Sequence, residues 1–140
     1  MEADMNRGFK LILVLIVAIF CTGMGGLGGQ PEGAIPETDV NIQAEVKDRD
    51  GVTTSLEKFS MAGKISLDAL RGQGKLTIPF ENIDTITFGD NKGDAVMIDV
   101  KLKTGETMTL QIRSRAQFYG STGFGAFQIK SKDLALIDFL

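Results

Sequence analysis

The sequence predicts an all-β fold, internally duplicated, behind an N-terminal hydrophobic segment. Three observations carry that expectation. Beyond residue 38, apolar and polar residues alternate with the period of a strand, as in Val40, Ile42, Ala44 and Val46 and again in Val96, Ile98, Val100 and Leu102. Glycine-marked turns separate these runs, and no helical stripe appears among them. Two blocks also recur. Residues 46–56 return 54 positions later as 100–110, and residues 72–78 return 51 positions later as 123–129. The second offset holds from Ile86-Thr87-Phe88 to Ile137-Asp138-Phe139. Residues recurring at matched places are most simply explained by a shared backbone.

The elements follow in order. A first strand is expected over residues 40–46. Asp50-Gly51 closes a hairpin into a second strand over 53–59, because glycine accepts the positive φ of a tight turn. A third, weaker strand covers 64–70, and Gly72-Gln73-Gly74 turns it into a fourth that carries Leu76, Ile78 and Phe80. Pro79-Phe80-Glu81-Asn82-Ile83 breaks the alternation and predicts one 3₁₀ turn before a short strand with Ile86 and Phe88. The second copy repeats this order. A strand over 95–103 turns at Thr104-Gly105 into a strand carrying Met108, Leu110 and Ile112. A strand over 126–129 follows, then a helical turn at Ser131-Lys132-Asp133-Leu134 and a closing strand with Ile137 and Phe139. Ile78, Ile86, Phe88, Ile129, Ile137 and Phe139 occupy matched positions and are expected in the core.

This order of hairpin, middle strand, glycine turn, strand, helical turn and closing strand resembles small SH3-like and Sm-like barrels. The resemblance is one of topology and rests on no diagnostic motif. It implies an internally duplicated small-barrel domain or a fused β-sandwich over residues 39–140, with copies at about 40–89 and 94–140. One copy alone would bury very little, so the two are expected to share a core.

Ahead of this domain, an unbroken apolar run over 11–21 follows Arg7 and Lys10, the form of a secretory signal peptide. Residues 1–23 are therefore read as a signal peptide or an N-terminal membrane anchor, and a membrane contact is expected only through 11–27 if the segment stays uncleaved. Basic residues precede the run and Glu32, Glu37, Asp39 and Glu45 follow it, which directs the C-terminal part outside the cytoplasm. The expected location is the periplasm or cell envelope. Residues 24–38, rich in glycine with Pro31 and Pro36, read as a linker. Cys21 follows Phe20 where a lipobox wants a small residue. Arg7-Gly8-Phe9-Lys10-Leu11-Ile12-Leu13 resembles a type IV prepilin processing site, but Leu13 stands where that family usually has glutamate.

Composition narrows the chemistry. The formal net charge is −3, against the excess of Lys and Arg that general nucleic-acid binding requires. There is no histidine and one cysteine, Cys21, so histidine-based triads, Cys-His sites and internal disulfides are excluded. No cofactor, metal or catalytic residue is expected. Asp48-Arg49-Asp50-Gly51 and Asp90-Asn91-Lys92-Gly93-Asp94 read as turns rather than calcium loops, which need six or more placed oxygens. Gly120-Ser121-Thr122-Gly123-Phe124-Gly125 lacks the following helix of a phosphate-binding loop. Glu81 and Asp84 are matched by Lys132 and Ala135 in the other copy, which argues against a carboxylate pair.

The copies differ most between the matched blocks. Residues 61–71 number 11, whereas residues 115–122 number 8. The shorter stretch brings Phe118-Tyr119 beside Arg113 and Arg115. Arg113, Arg115, Tyr119 and Phe124 are the candidate partner-binding residues, since Tyr and Arg are enriched at interface hot spots. The expected function is that of a non-catalytic, exported β module that binds or scaffolds an envelope protein or glycan. Two alternatives are a structural subunit assembling through strand edges, possible as an oligomer, and a glycan-acting enzyme using carboxylates alone.

Overall fold

The computed structural model describes Pro36 and residues 38–140. The signal or anchor segment 1–23 and nearly all of the linker lie outside the described residues. The described chain is all-β. Its strands are β1 (Ala44–Asp48), β2 (Thr53–Met61), β3 (Ser66–Arg71), β4 (Gly74–Pro79), β5 (Ile83–Lys92), β6 (Ala95–Leu102), β7 (Thr107–Arg113), β8 (Gln117–Ser121), β9 (Ala126–Lys130) and β10 (Leu134–Phe139). One 3₁₀ turn, Phe80–Asn82, joins β4 to β5, and another, Ser131–Asp133, joins β9 to β10.

All ten strands form one curled antiparallel sheet in the order β4-β3-β7-β6-β5-β10-β1-β2-β8-β9. Exchanging β1 to β5 with β6 to β10 turns this order into its own reverse. The duplication read in the sequence is therefore a pseudo-twofold of the sheet, whose centre is the β5–β10 pair. Local contacts obey it too. Arg49 N–H at the β1–β2 turn donates to Asp133 O (3.0 Å), and Lys103 N–H at the β6–β7 turn donates to Asn82 O (2.9 Å).

The copies do not fold side by side. Each exchanges strands with the other. One half of the sheet, β5-β6-β7-β3-β4, is a continuous piece of chain over residues 66–113. The other half, β10-β1-β2-β8-β9, is assembled from residues 44–61 and 117–139. The chain crosses between halves at 62–65 and again at 114–116. Two independent barrels are thereby excluded, and the interior is a single cluster. Phe59 and Phe139 from one half pack on Phe80 from the other, with ring centroids 5.2 Å and 5.1 Å from Phe80. Phe88 and Phe118 meet edge-on across the halves at 6.2 Å. Such aromatic pairs stabilise beyond their buried area.

Burial follows the alternation that made these segments strands. Ala44, Val46, Ile98, Val100 and Leu110 point inward at 0–1% exposure while their neighbours face solvent. Ile78, Ile86, Phe88, Ile137 and Phe139 are buried as expected. Ile129 is only half-buried and packs at the margin of the core, because β9 is an edge strand with nothing beyond it.

Three boundaries differ from expectation. β1 starts at Ala44, not at residue 40, and Val40 is exposed. Opposite this stretch β2 kinks at Lys58, whose φ is +49°. Asn41 Oδ1 accepts the Lys58 N–H there and Ile42 O accepts that of Phe59, so residues 41–43 brace a kink instead of extending a ladder. β5 is longer than expected, running to Lys92 and turning into β6 at Gly93 (φ +61°). β2 extends past Phe59 to Met61, with consequences at the site below.

Candidate functional site

The strand exchange makes one kind of junction twice. β2 meets β8 in one half, and β7 meets β3 in the other. Both start from equivalent pairs, Glu57 with Ser121 and Gln111 with Leu70. Beyond that point they differ. The β2–β8 ladder resumes after the Lys58 kink with Ser60 opposite Tyr119 and Met61 opposite Phe118. The β7–β3 ladder stops after its one pair.

The residues that would continue it, Ser114 and Asp68, turn to other partners. Ser114 N–H donates to Asp94 O at 2.8 Å. Asp68 N–H donates to Met61 Sδ at 3.4 Å. Met61 ends β2, in the other half of the sheet, and its thioether takes the place of the missing strand partner. An unbranched thioether suits such an irregular gap, and sulfur is a weak acceptor.

Seam width follows the same contrast. A Cβ added to Gly120 on β8 would come within 2.8 Å of Leu56 Cβ on β2, so only glycine fits. The matched position on β3 is Ala69, which carries a Cβ and is buried at 4% exposure. The β7–β3 seam is thus wider, and it opens into a groove of about 400 Å³. Met61, Ala69, Leu70, Ile112 and Ala116 form its apolar wall, and Asp68, Lys75, Gln111 and Arg113 its polar margin.

The charges at that margin are not equivalent. Asp68 accepts a hydrogen bond from Thr77 Oγ1 (2.7 Å) and lies 3.2 Å from Lys64 Nζ and 3.6 Å from Lys75 Nζ. The Thr77 hydroxyl chiefly, then the lysines, hold its carboxyl below the ordinary value of 3.8 against the opposing effect of burial. Arg113 is different. Among the described residues, the ion pairs within 4.0 Å are Lys64–Asp68, Lys75–Asp68 and Lys101–Asp84, and none involves Arg113 or Arg115. The turn carrying both arginines is nonetheless held firmly. Ser131 Oγ donates to Arg113 O, Ser131 N–H to Ala116 O (2.8 Å) and Lys132 N–H to Ser114 O (3.0 Å).

The four residues singled out in the sequence do not form one surface. Arg113 and Arg115 flank the turn before β8, beside a second concavity of about 480 Å³ that they share with Asp94 and Ser114. Phe124, 95% exposed, sits on the β8–β9 turn at the far end of β8. Tyr119 lies between them, half-buried, its hydroxyl donating to Gln117 Oε1 at 2.8 Å. Phe118 is fully buried. Only Arg113 reaches the groove. Met61, Asp68, Lys75, Gln111 and Ile112 are groove residues that sequence reasoning missed. The unequal lengths of 61–71 and 115–122 were the signal, because the crossings at 62–65 and 114–116 fall in or at the start of these stretches.

The other acidic motifs are engaged locally. Asp48 Oδ1 accepts the N–H groups of Asp50 and Val52, both at 2.9 Å, and so closes its own turn. Asp84 lies 3.8 Å from Lys101 Nζ. A concavity of about 500 Å³ beside the β1–β2 turn collects Asp48, Asp50 and Asp133 together with Arg49, Lys130 and Lys132. Arg49 is committed there, donating from Nε to Lys132 O and from Nη2 to Gly89 O at 2.7 Å each.

These features define an all-β, pseudo-twofold, strand-exchanged domain with one closed and one open seam. The chain belongs to a protein family described as "Uncharacterised protein", whose model matches residues 38–140. No curated protein matches the chain.

Proposed function

We propose that this protein is a non-catalytic β module, exported to the cell envelope, that binds an envelope component in the groove of the β7–β3 seam. The observation that carries the reading is the broken symmetry. Two junctions with the same strand pairing diverge at one place, and the divergence leaves an apolar groove with an uncompensated arginine at its margin. Apolar concavities with a few placed polar groups are the usual form of a binding site. Export rests on the basic start and apolar run of residues 7–21. Pro36 packs against Gly63, in the crossing that follows Met61, so the chain enters the domain next to the groove.

The test is native mass spectrometry of the protein purified from an envelope fraction, with the mature N-terminus determined in the same experiment. The wild-type protein should retain a bound component, and Ala116→Phe, which fills the groove, should lose it while keeping its melting temperature. Equal retention by both proteins contradicts the site. Recovery from the cytoplasm with an intact Met1 contradicts export.

A second reading, assembly through strand edges, is favoured at β9. This edge strand has no proline and one charge, Lys130, whereas the opposite edge, β4, carries Lys75 and ends in Pro79. Sedimentation would separate the readings, since edge assembly predicts oligomers that Gln128→Pro dissolves.

A further inference from the structure

The groove's chemistry also specifies a class of ligand. This inference rests on the groove being the binding site and goes on to say what it takes. The charge balance is the starting point. Asp68 is satisfied three times over, by Thr77, Lys64 and Lys75. Lys75 shares that single carboxylate with Lys64, so this corner of the groove keeps a net positive charge. Arg113 is the groove cation without a carboxylate among the described residues, and its backbone is fixed by the Ser131 hydroxyl. Arg113 and Arg115 both border the adjoining concavity that contains Asp94, and neither forms an ion pair with it within 4.0 Å; Arg113 alone of the two also lines the groove. An anionic group therefore belongs at Arg113, and a planar guanidinium matches a carboxylate with two parallel hydrogen bonds.

The rest of the ligand is set by what the wall lacks. A bound peptide strand brings N–H and C=O groups that must be paired when buried. The groove has little to pair them with. Alternate residues of β3 bond to β4 on the far side, and of those facing the groove Leu70 is paired with Gln111 while the Asp68 N–H already donates to Met61 Sδ. What remains is the side-chain surface of Met61, Leu70 and Ala116, with the buried Ala69 and Ile112 at its floor. An alkyl chain covers that surface without introducing a polar group, and the flexible Met61 adapts to it. The volume of about 400 Å³ suits a single chain of moderate length, near the lower end of the roughly 300–1,000 Å³ found for small-ligand sites.

We infer that the groove binds a single-chain alkyl carboxylate, its chain along the Met61–Ile112 wall and its carboxylate on the Arg113 guanidinium. The experiment titrates the folded protein, followed by amide and methyl NMR, with decanoate and with 1-decanol below their aggregation limits. Decanoate should shift Met61, Ile112 and Arg113 resonances together. Arg113→Gln should weaken it about tenfold, the order expected for losing a charge-assisted contact. 1-Decanol should bind wild type no better than decanoate binds Arg113→Gln.

Equal binding of decanoate and 1-decanol overturns the carboxylate assignment. Shifts centred on Phe124 or the β1–β2 turn overturn the site. A silent decanoate titration alongside a component that Ala116→Phe sheds overturns the ligand class and leaves the binding-module reading standing. A silent titration with no difference in retention between wild type and Ala116→Phe removes both. Should Ala116→Phe not fold, Gln111→Trp on the exposed lip of β7 blocks the same groove.

Discussion

The β2–β8 and β7–β3 seams are one junction built twice, and they end differently. The first closes over Ser60 and Met61 with a glycine at its tightest point. The second stops after Leu70 and Gln111, accommodates Ala69, and fills part of the gap with a methionine borrowed from the other half. Everything common to both seams has a sufficient explanation in the shared backbone. The difference does not. A duplicated fold thus contains its own control, and the feature present at only one of two equivalent places is where a specific role is to be sought.

The largest test of this comparison is in the core beneath the seams. Phe118 on β8 and Leu67 on β3 are matched residues, both at 0% exposure. Phe118 stacks on Phe59 at 5.7 Å and meets Phe88 edge-on at 6.2 Å. Phe118→Ala should cost about 3–5 kcal/mol by denaturant unfolding, a typical loss for a buried aromatic. Leu67→Ala, with no aromatic partner to lose, should cost less. A larger loss at Leu67 would break the claim that the closed seam is the better packed.

Next in size is the glycine at the closed seam. Gly120→Ala forces a methyl against Leu56 and should destabilise by about 1–3 kcal/mol, as overpacking generally does. The reciprocal change in the open seam, Ala69→Gly, should cost only about 0.5–1 kcal/mol through backbone entropy. Thermal melts of the two variants compare the seam widths directly. An unaffected Gly120→Ala protein would mean that the seams are equally wide.

Much of this fold was legible in the sequence, and the reason is visible in particular residues. Gly51 and Gly105 both have positive φ, at +88° and +94°, and both close the hairpins they marked. Ile86 with Ile137 and Phe88 with Phe139 are buried in pairs, as their constant offset required. Strand exchange was not legible. A local pattern of alternation says which face of β3 is buried, but not whether β2 or β7 lies beside it, because both carry the same apolar period. The groove was missed for that reason. Arg113 was found through its cluster with Arg115, whereas Lys75 stood in a matched block, and Met61 and Asp68 stood in the unmatched stretch 61–71, which has no aromatic pair to mark it. Phe118 was flagged with Tyr119 as an aromatic pair, and the two faces of β8 separate them.

The smallest expected effect is electrostatic and belongs to the open seam alone, since the position matching Asp68 is Tyr119. Asp68 has its carboxyl pKa lowered in the folded state, principally by Thr77. The folded protein therefore favours the ionised form. That contribution is present above the ordinary carboxylate range and is lost as pH falls through the lowered value. Asp68→Asn should lower the melting temperature slightly at neutral pH and converge on wild type in acid, so flattening the fall on acidification; the effect is small because the group is partly solvent-screened. A steeper acid dependence in the variant would contradict the assignment.

The most direct measurement is of the two seams themselves, by nuclear Overhauser contacts and amide exchange in one NMR sample. Cross-strand contacts should appear between Ser60 and Tyr119 and between Met61 and Phe118, with slowly exchanging amides at that seam. Backbone contacts should be absent between Ser114 and Asp68, where the Met61 side chain should instead contact the Asp68 amide. If both seams show the full ladder, or if β2 proves to pair with β3 of its own copy, neither the strand exchange nor the open groove exists in solution.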